Sequence, residues 1–436
     1  MTTTAQPTML RTPPAFARDR MVQAWLVIKA LSDAGDAIFT IAFAWTAVQI
    51  ASPAVAGLVV AAGTVPRAVV LLIGGAYADR ADARRLMIVF NSLRVVVLVT
   101  VAVWCLAAPP TVALLLIASI AFGLCDAFFE PAAGTMPRQL VAASDLPAYA
   151  ALSQTLSRLG TMAGSAAGGF LVAAYGITGS AGLNTLTYVI VIVFIVLWLR
   201  PRFALPRASA EQSVLRGVAD GFRYLGRERA TRTLVIALSG LNLAVGPALA
   251  IGLPLMATSR DWGAGAVGVF EALVGGGAMV GALTVVRWRP RHEAIGGFTA
   301  LMVQGAGIVS LGLGNQFVVG AGCLAIGFTA GYASSLLSAT FAATAAPDYL
   351  GRLGSILRLG DDCLMPVGMA AFGALAGILP LWVPFALYGG AMALLMVVPL
   401  SNPQLRSISL RDTTAEEPEE ETIEEPVGES AEESAN

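Results

Sequence analysis

"GGAYADRADARRLM", residues 74–87, lies between two apolar stretches and packs two aspartates and three arginines into positions 79–85. The chain around it is only 13% charged and 56% hydrophobic, with a mean hydropathy of +0.74. Runs of about twenty almost uncharged residues recur along the sequence, the length an α-helix needs to cross a hydrocarbon core about 30 Å thick. The stretch is therefore read as a charged loop between two membrane spans, and the chain as a polytopic membrane protein.

Outward from this loop the same criterion gives twelve spans: 22–50, 54–78, 86–108, 111–135, 146–175, 178–200, 233–258, 264–286, 295–313, 316–343, 355–379 and 381–400. The fold class expected is all-α and integral to the membrane. Arginines fall on one set of connections: Arg11, Arg18 and Arg20 before span 1, Arg80, Arg84 and Arg85 after span 2, and Arg138 after span 4. Eight more lie between Arg200 and Arg232, three between Arg287 and Arg291, and Arg352 follows span 10. The opposite loops offer Arg260 alone. The positive-inside rule then places both termini in the cytoplasm, and the localisation expected is that of a multi-pass protein of the cell's inner (plasma) membrane. Residues 1–21 lack an apolar signal core, so they are read as a cytoplasmic segment and span 1 as retained.

The longest connection, 201–232, divides the spans into six-helix bundles at 22–200 and 233–400. Within it Leu215, Val218, Phe222 and Leu225 recur at three or four residues, which fits either an amphipathic helix on the anionic inner leaflet or a soluble linker helix. The bundles echo each other: "SRLG" at 157–160 and "LRLG" at 357–360 put Arg158 and Arg358 at matching points, and "RWRPRHE" at 287–293 is a weaker counterpart of the charged loop. Two six-helix repeats suit rocking around a midplane cavity. The segment 401–436 is different material. From residue 411 onward it holds one arginine against one aspartate and ten glutamates, a net charge of −10 that leaves +9 on the rest, and it is expected to be a disordered cytoplasmic tail. Cys105, Cys125, Cys323 and Cys363 sit singly in apolar stretches as packing residues, so neither a metal site nor a cofactor is expected.

The charged loop resembles that between spans 2 and 3 of major facilitator superfamily transporters, of general form G-x-L-A-D-R-x-G-R-R. Gly75, Ala78, Asp79, Arg80 and Arg84 match, while Tyr77, Asp82 and Ala83 depart from it. The Asp-Arg-x-Asp form, with "GDAIFTIAFAW" (35–45), "FFEPAAGTMPRQLV" (128–141) and "PDYLGRLGSI" (347–356), is similar to the branch containing siderophore exporters and macrolide efflux proteins. The resemblance implies a twelve-helix transporter in which this loop holds the cytoplasmic side shut. In that role Gly75 permits close helix approach, Asp79 meets a helix N-terminus, and Arg80, Arg84 and Arg85 pair with carboxylates or lipid phosphates. Alternatively, the arginines serve only to fix topology. "GTMAGSAAGG" (160–169) sets Gly160, Gly164, Gly168 and Gly169 on one helical face for close packing; it resembles the superfamily's antiporter pattern, with Ser165 where that pattern has proline.

Ionisable groups at bilayer depth are costly and mark cavities or partners. Lys29, Asp33 and Asp36 share one face of span 1, and Asp126 and Glu130 one face of span 4; Arg158, Glu271, Arg358, Asp361 and Asp362 complete the set. Internal pairing accounts for some of them, Lys29 with Asp33 or Arg358 with Asp362. Glu130 and Glu271 have no local cation, and a carboxyl desolvated without a partner can hold a proton at neutral pH. Arg158 is expected to draw on Asp126 and Glu130, and Arg358 on Asp361 and Asp362. The single histidine, His292, falls in a loop and is not read as a relay.

No catalytic cluster, phosphate-cradling motif or repeated pore filter is present, which argues against an enzyme or a channel. The function expected is secondary active transport by alternating access, as a proton-coupled antiporter exporting a small amphipathic drug, siderophore or metabolite. Uptake of a small solute is the alternative, and a transport-inactive receptor stands behind it. Protons, lipids and a small-molecule substrate are the expected partners of a monomer; nucleic acid is not.

Overall fold

The computed structural model describes residues 16–66, 82–203, 214–344, 346 and 349–403. Among the described residues regular structure is entirely helical. Helix α1 (Arg20–Ile50) starts where the Asp19 carboxylate accepts a hydrogen bond from the Val22 amide at 3.3 Å. Helix α2 (Pro53–Ala62) starts with proline, whose fixed φ suits a first helical turn. Asp82 caps α3 (Ala83–Ala107), accepting from the Arg84 amide at 3.0 Å. The departure from the family's glycine thus has a structural use: it starts the third span. Thr111 caps α4 (Val112–Leu140) in the same manner.

Spans 5 and 6 form one continuous run, α5 (Leu146–Leu197), broken at Gly176, whose φ of 62° is a conformation open to glycine. The linker helix α6 (Val214–Arg227) follows. Span 7 is composite: α7 (Arg229–Pro247), a π turn (Ala248–Gly252) and α8 (Leu253–Ser259). Pro254 cannot donate to the carbonyl four residues back, which accounts for the interrupted ladder there. The remaining spans are α9 (Gly263–Arg287), α10 (Glu293–Leu311), α11 (Gln316–Thr344), α12 (Leu350–Ile378) and α13 (Trp382–Leu400). Eight described helical runs are long and apolar enough to cross a membrane, α5 being long enough for two crossings, and shorter apolar helices cover Pro53–Pro66 and Cys363–Ile378. The outer surface is itself apolar, with Ile117, Phe170, Val286 and Leu394 exposed, as a bilayer requires. The result is a twelve-helix fold.

Glycines set the closest crossings. Gly160 and Gly164 lie against the backbone of Ala30 and Ala34, and Gly168 against Ile38, so spans 1 and 5 pack as one unit. Gly169 instead meets the second six helices: a Cβ there would lie 2.5 Å from Gly268 N. A Cβ on Gly57 would lie 2.7 Å from Met369 O, and Gln49 Nε2 donates to Thr258 Oγ1 at 3.0 Å. These contacts join the two halves at the end opposite the arginine-rich connections.

At the arginine-rich end, Arg202 pairs with Asp19, and the Arg202 and Phe203 amides donate to Gln139 O at 2.8 and 3.1 Å. The far end of the connection engages the second half. Leu225 is buried against Val235, Leu353 and Ile356, and Tyr224 stacks on Tyr349 with ring centroids 4.4 Å apart. Leu225 is therefore covered by protein rather than lipid, while Phe222 is exposed. The side chains of Leu215 and Val218 lie outside the described set.

Candidate functional site

Span 1 delivers acids to the centre of the bundle. A cavity of about 390 Å³ is lined by Trp25, Lys29, Asp33, Asp36, Phe39 and Phe43 from α1, Arg94 from α3, Asp126, Phe129 and Glu130 from α4, and Tyr188 from α5; Ala250 and Met369 close it from the second half. A second cavity of about 430 Å³ shares Asp33, Asp36, Thr40 and Ala250, and adds Ser157, Thr161, Ser165, Glu271 and Met365. Helix α1 stands between the two, and both Asp33 and Asp36 line each of them.

The centre of the first cavity is a charge Arg94 carries into the membrane. Its side chain is only 5% exposed, forms an ion pair with Asp126, and donates from Nη1 to Asn91 Oδ1 at 3.1 Å. The guanidinium lies 4.3 Å from the Phe129 ring centroid and 5.3 Å from that of Tyr188. A carboxylate plus two aromatic faces is what a guanidinium at such depth needs. Its Nε has no acceptor among the described residues. The Tyr188 hydroxyl donates to Asp36, which also accepts from Asn184 Nδ2 at 3.1 Å. Thr187 Oγ1 donates to Asn184 Oδ1 at 2.9 Å, which fits an amide whose NH₂ faces the aspartate. Gly35 makes this approach possible, since a Cβ there would lie 2.5 Å from Asn184 Oδ1. The sequence of contacts Asp126, Arg94, Tyr188, Asp36 thus links four spans.

Lys29 pairs with Asp33 at 3.0 Å, and the Ser157 hydroxyl also donates to Asp33. Asp36, Glu130 and Glu271 have no ion pair among the described residues, and Glu271 has no hydrogen bond there either. The two cavities together therefore hold two cations against five carboxyl groups, within walls carrying six aromatic rings, from Trp25 to Tyr188.

Arg158 corrects the sequence expectation. It is exposed and lines neither cavity, and Asp126 pairs with Arg94 in its place. Ser157, Thr161 and Ser165 of α5 face the second cavity, and Arg158, although seven residues from Ser165 and so on nearly the same helical face, is not part of its lining. The side chains of Arg358, Asp361 and Asp362 lie outside the described residues, as do Gly75, Asp79 and Arg80 of the charged loop. Arg84 is described, and among the described residues it binds no carboxylate. Its Nε and Nη2 donate to Ile195 O at 3.0 and 2.8 Å, and Nη2 to Val196 O at 2.8 Å, so it caps the end of span 6 within its own half. Arg85 is exposed and lies 3.7 Å from the Asp82 carboxylate.

Arg94, Asn184 and Tyr188 were not among the residues singled out from sequence. The signal for Arg94 was present: it is the one charged residue within 86–108, and the depth argument applied to the carboxylates covers it equally. Asn184 and Tyr188 are one helical turn apart in span 6, a weaker sign, because uncharged polar residues are tolerated in packed spans.

A family profile described as transmembrane secretion effector matches residues 14–432. The multidrug efflux pump Tap of Mycolicibacterium fortuitum is 26% identical over 396 residues, 86% of this chain and 94% of that protein. The enterobactin exporter EntS of Shigella boydii is 26% identical over 320 residues, 71% of this chain and 74% of that protein. Among solved structures, the nucleoside transporter NupG superposes with a TM-score of 0.66 at 12% identity, covering 89% of this chain and 100% of that one. A bacterial homologue of the human lysosomal transporter Spinster gives 0.65 at 13% identity, over 89% and 96%. Likeness at such identity speaks for the fold.

Proposed function

Because the chain belongs to the transmembrane secretion effector family, within the major facilitator superfamily, we propose that it exports a small amphipathic organic cation in exchange for protons. Transport of a small molecule across a membrane is the shared activity of the family; the direction, the coupling ion and the cation preference are our reading. The observation that carries it is the composition of the central cavities, where carboxyl groups outnumber cations by three and aromatic rings line the walls. Such a surface favours a positively charged, partly apolar guest, by Coulomb attraction and by cation–π contact. It disfavours a polyanion.

Protons and a cationic guest compete for the same carboxyl groups, which is the simplest basis for exchange. Asp36 faces both cavities and bonds to Tyr188, whose ring touches Arg94. When Asp36 is ionised, it competes with Asp126 for the Arg94 guanidinium, whose Nε is unsatisfied in this state. When Asp36 is protonated, Arg94 stays with Asp126. The two states differ in how the first half is tied together, and the second half rocks against it about the glycine crossings at the closed end. The arginine-rich end is taken as cytoplasmic. Export rather than import is supported by the efflux pump and the exporter among its relatives.

The test uses inside-out vesicles with an acid interior and ethidium as the probe cation. Accumulation that collapses with the proton gradient, and is competed by organic cations but not by catecholate anions, is expected. Accumulation indifferent to the gradient, or a preference for the anions, would overturn the reading.

A further inference from the structure

An open-sided groove of about 790 Å³ lies on the outer wall of the second six helices, between α9, α10 and α11, away from the central cavities. It exists because α9 and α11 cross backbone to backbone at Gly277 and Gly281, while small residues, Ala300, Ala321 and Ala325 among them, leave the angle towards α10 unfilled. Its rim is exposed and apolar, with Val280 and Val303 each 52% accessible, and Phe328 and Tyr332 stack in its wall. Along α11 it runs from Ala321 to Tyr332, about 16 Å at 1.5 Å per residue, close to half of a bilayer core about 30 Å thick. A notch of this length, facing hydrocarbon, is matched by one acyl chain of one leaflet.

The end of the groove nearest the arginine-rich connections is charged. Arg287 lies seven residues beyond Val280, on the same face of α9, with its guanidinium 5.8 Å from the Trp288 ring. Trp288 is 69% exposed, the position of an aromatic ring anchored at headgroup level. Pro290 folds over Gly296 at the groove's end, where a Cβ would lie 3.0 Å from Pro290 Cγ, so the loop 288–292 caps it. Arg289 is engaged with Glu293 at 3.1 Å. Arg287 and Arg291 are exposed and have no ion pair among the described residues.

The geometry points to a binding site for an anionic diacyl phospholipid, with one acyl chain in the α9–α10–α11 groove and the phosphate held by Arg287 and Arg291. Apolar length, aromatic anchor and two free guanidinium groups meet at one place, and the charges select an anionic headgroup over a zwitterionic one. The site is separate from the transport cavities, and its occupancy by lipid does not depend on which solute is carried.

The test is tryptophan quenching on the full chain in neutral detergent, with brominated phosphatidylglycerol and brominated phosphatidylcholine, the Trp288 contribution being isolated by difference from Trp288→Phe. Phosphatidylglycerol should quench that contribution at a concentration lower by roughly fivefold per free arginine. Arg287→Gln with Arg291→Gln should erase the preference, and Ala321→Phe, which fills the groove, should weaken both lipids. Ala300→Leu fills it from the other side and replaces Ala321→Phe if that variant fails to elute as a folded species. Equal quenching by the two lipids in the wild type, or quenching undiminished by a folded filling variant, would overturn the proposal.

Discussion

Replacing Arg94 with glutamine removes a cation whose side chain is 5% exposed and leaves Asp126, 34% exposed, without its partner. Breaking a fully buried pair costs about 3–5 kcal/mol, and the loss here is smaller because Asp126 opens onto the cavity. The stacked contacts on Phe129 and Tyr188 add about 1 kcal/mol, offset in part by relief of the arginine's own desolvation. A net loss of about 2 kcal/mol follows, which for a chain of 436 residues lowers the unfolding midpoint by roughly 2 °C. The assay is thermal unfolding in detergent of Arg94→Gln, Asp126→Asn and the double variant. A coupling energy of about 1–2 kcal/mol is expected, because neutralising Asp126 removes most of what the first substitution strands. Arg94→Lys should recover part of the stability, since it restores the charge but not the planar fork stacked between rings. Additivity within about 0.5 kcal/mol, or an unchanged midpoint in Arg94→Gln, would refute the reasoning.

Three further outcomes are expected. Gly169→Leu forces backbone apart at the closed end, and an overpacking cost of about 1–3 kcal/mol corresponds to a shift of roughly 5- to 150-fold towards the opposite state; spin-label distances across that end should lengthen, and unchanged distances would contradict this. Gly35→Ala pushes Asn184 and Thr187 away from Asp36 and should lower transport, whereas Gly276→Ala, which meets nothing within 4 Å, should leave it intact; equal transport in both would count against the placement of Asp36. Arg84→Gln loses three hydrogen bonds to the end of span 6 and should destabilise the chain by about 1–2 kcal/mol in the same unfolding assay, while Arg85→Gln, on an exposed side chain, should change nothing measurable.

The fold was legible because membrane spans obey a length rule that needs no tertiary information. Even the break between spans 5 and 6 fell at the right place, although the backbone there is a helix interrupted only at Gly176. The composite seventh span was not legible, since a π turn depends on local ladder geometry around Pro254. Within the site, periodicity placed Asp33 and Asp36 on one face, because spacing on a single helix is a sequence property. Partners across helices are not. Spacing offers Arg158 as a cation for Asp126, yet Asp126 takes its partner from span 3, in Arg94, a pairing that no interval along span 4 or span 5 encodes. Asp82 shows the reverse case: a departure from a family pattern that reads as a loss in sequence is a helix cap in the fold.

The central claim is that carboxyl groups lining the two central cavities exchange protons for a cationic solute. The direct measurement compares, in proteoliposomes, gradient-driven accumulation of ethidium with its equilibrium exchange, for the wild type, Asp36→Asn and Glu271→Gln. Loss of gradient-driven accumulation with exchange retained, in at least one variant, is the predicted result; gradient-driven accumulation at wild-type rates in both would contradict it.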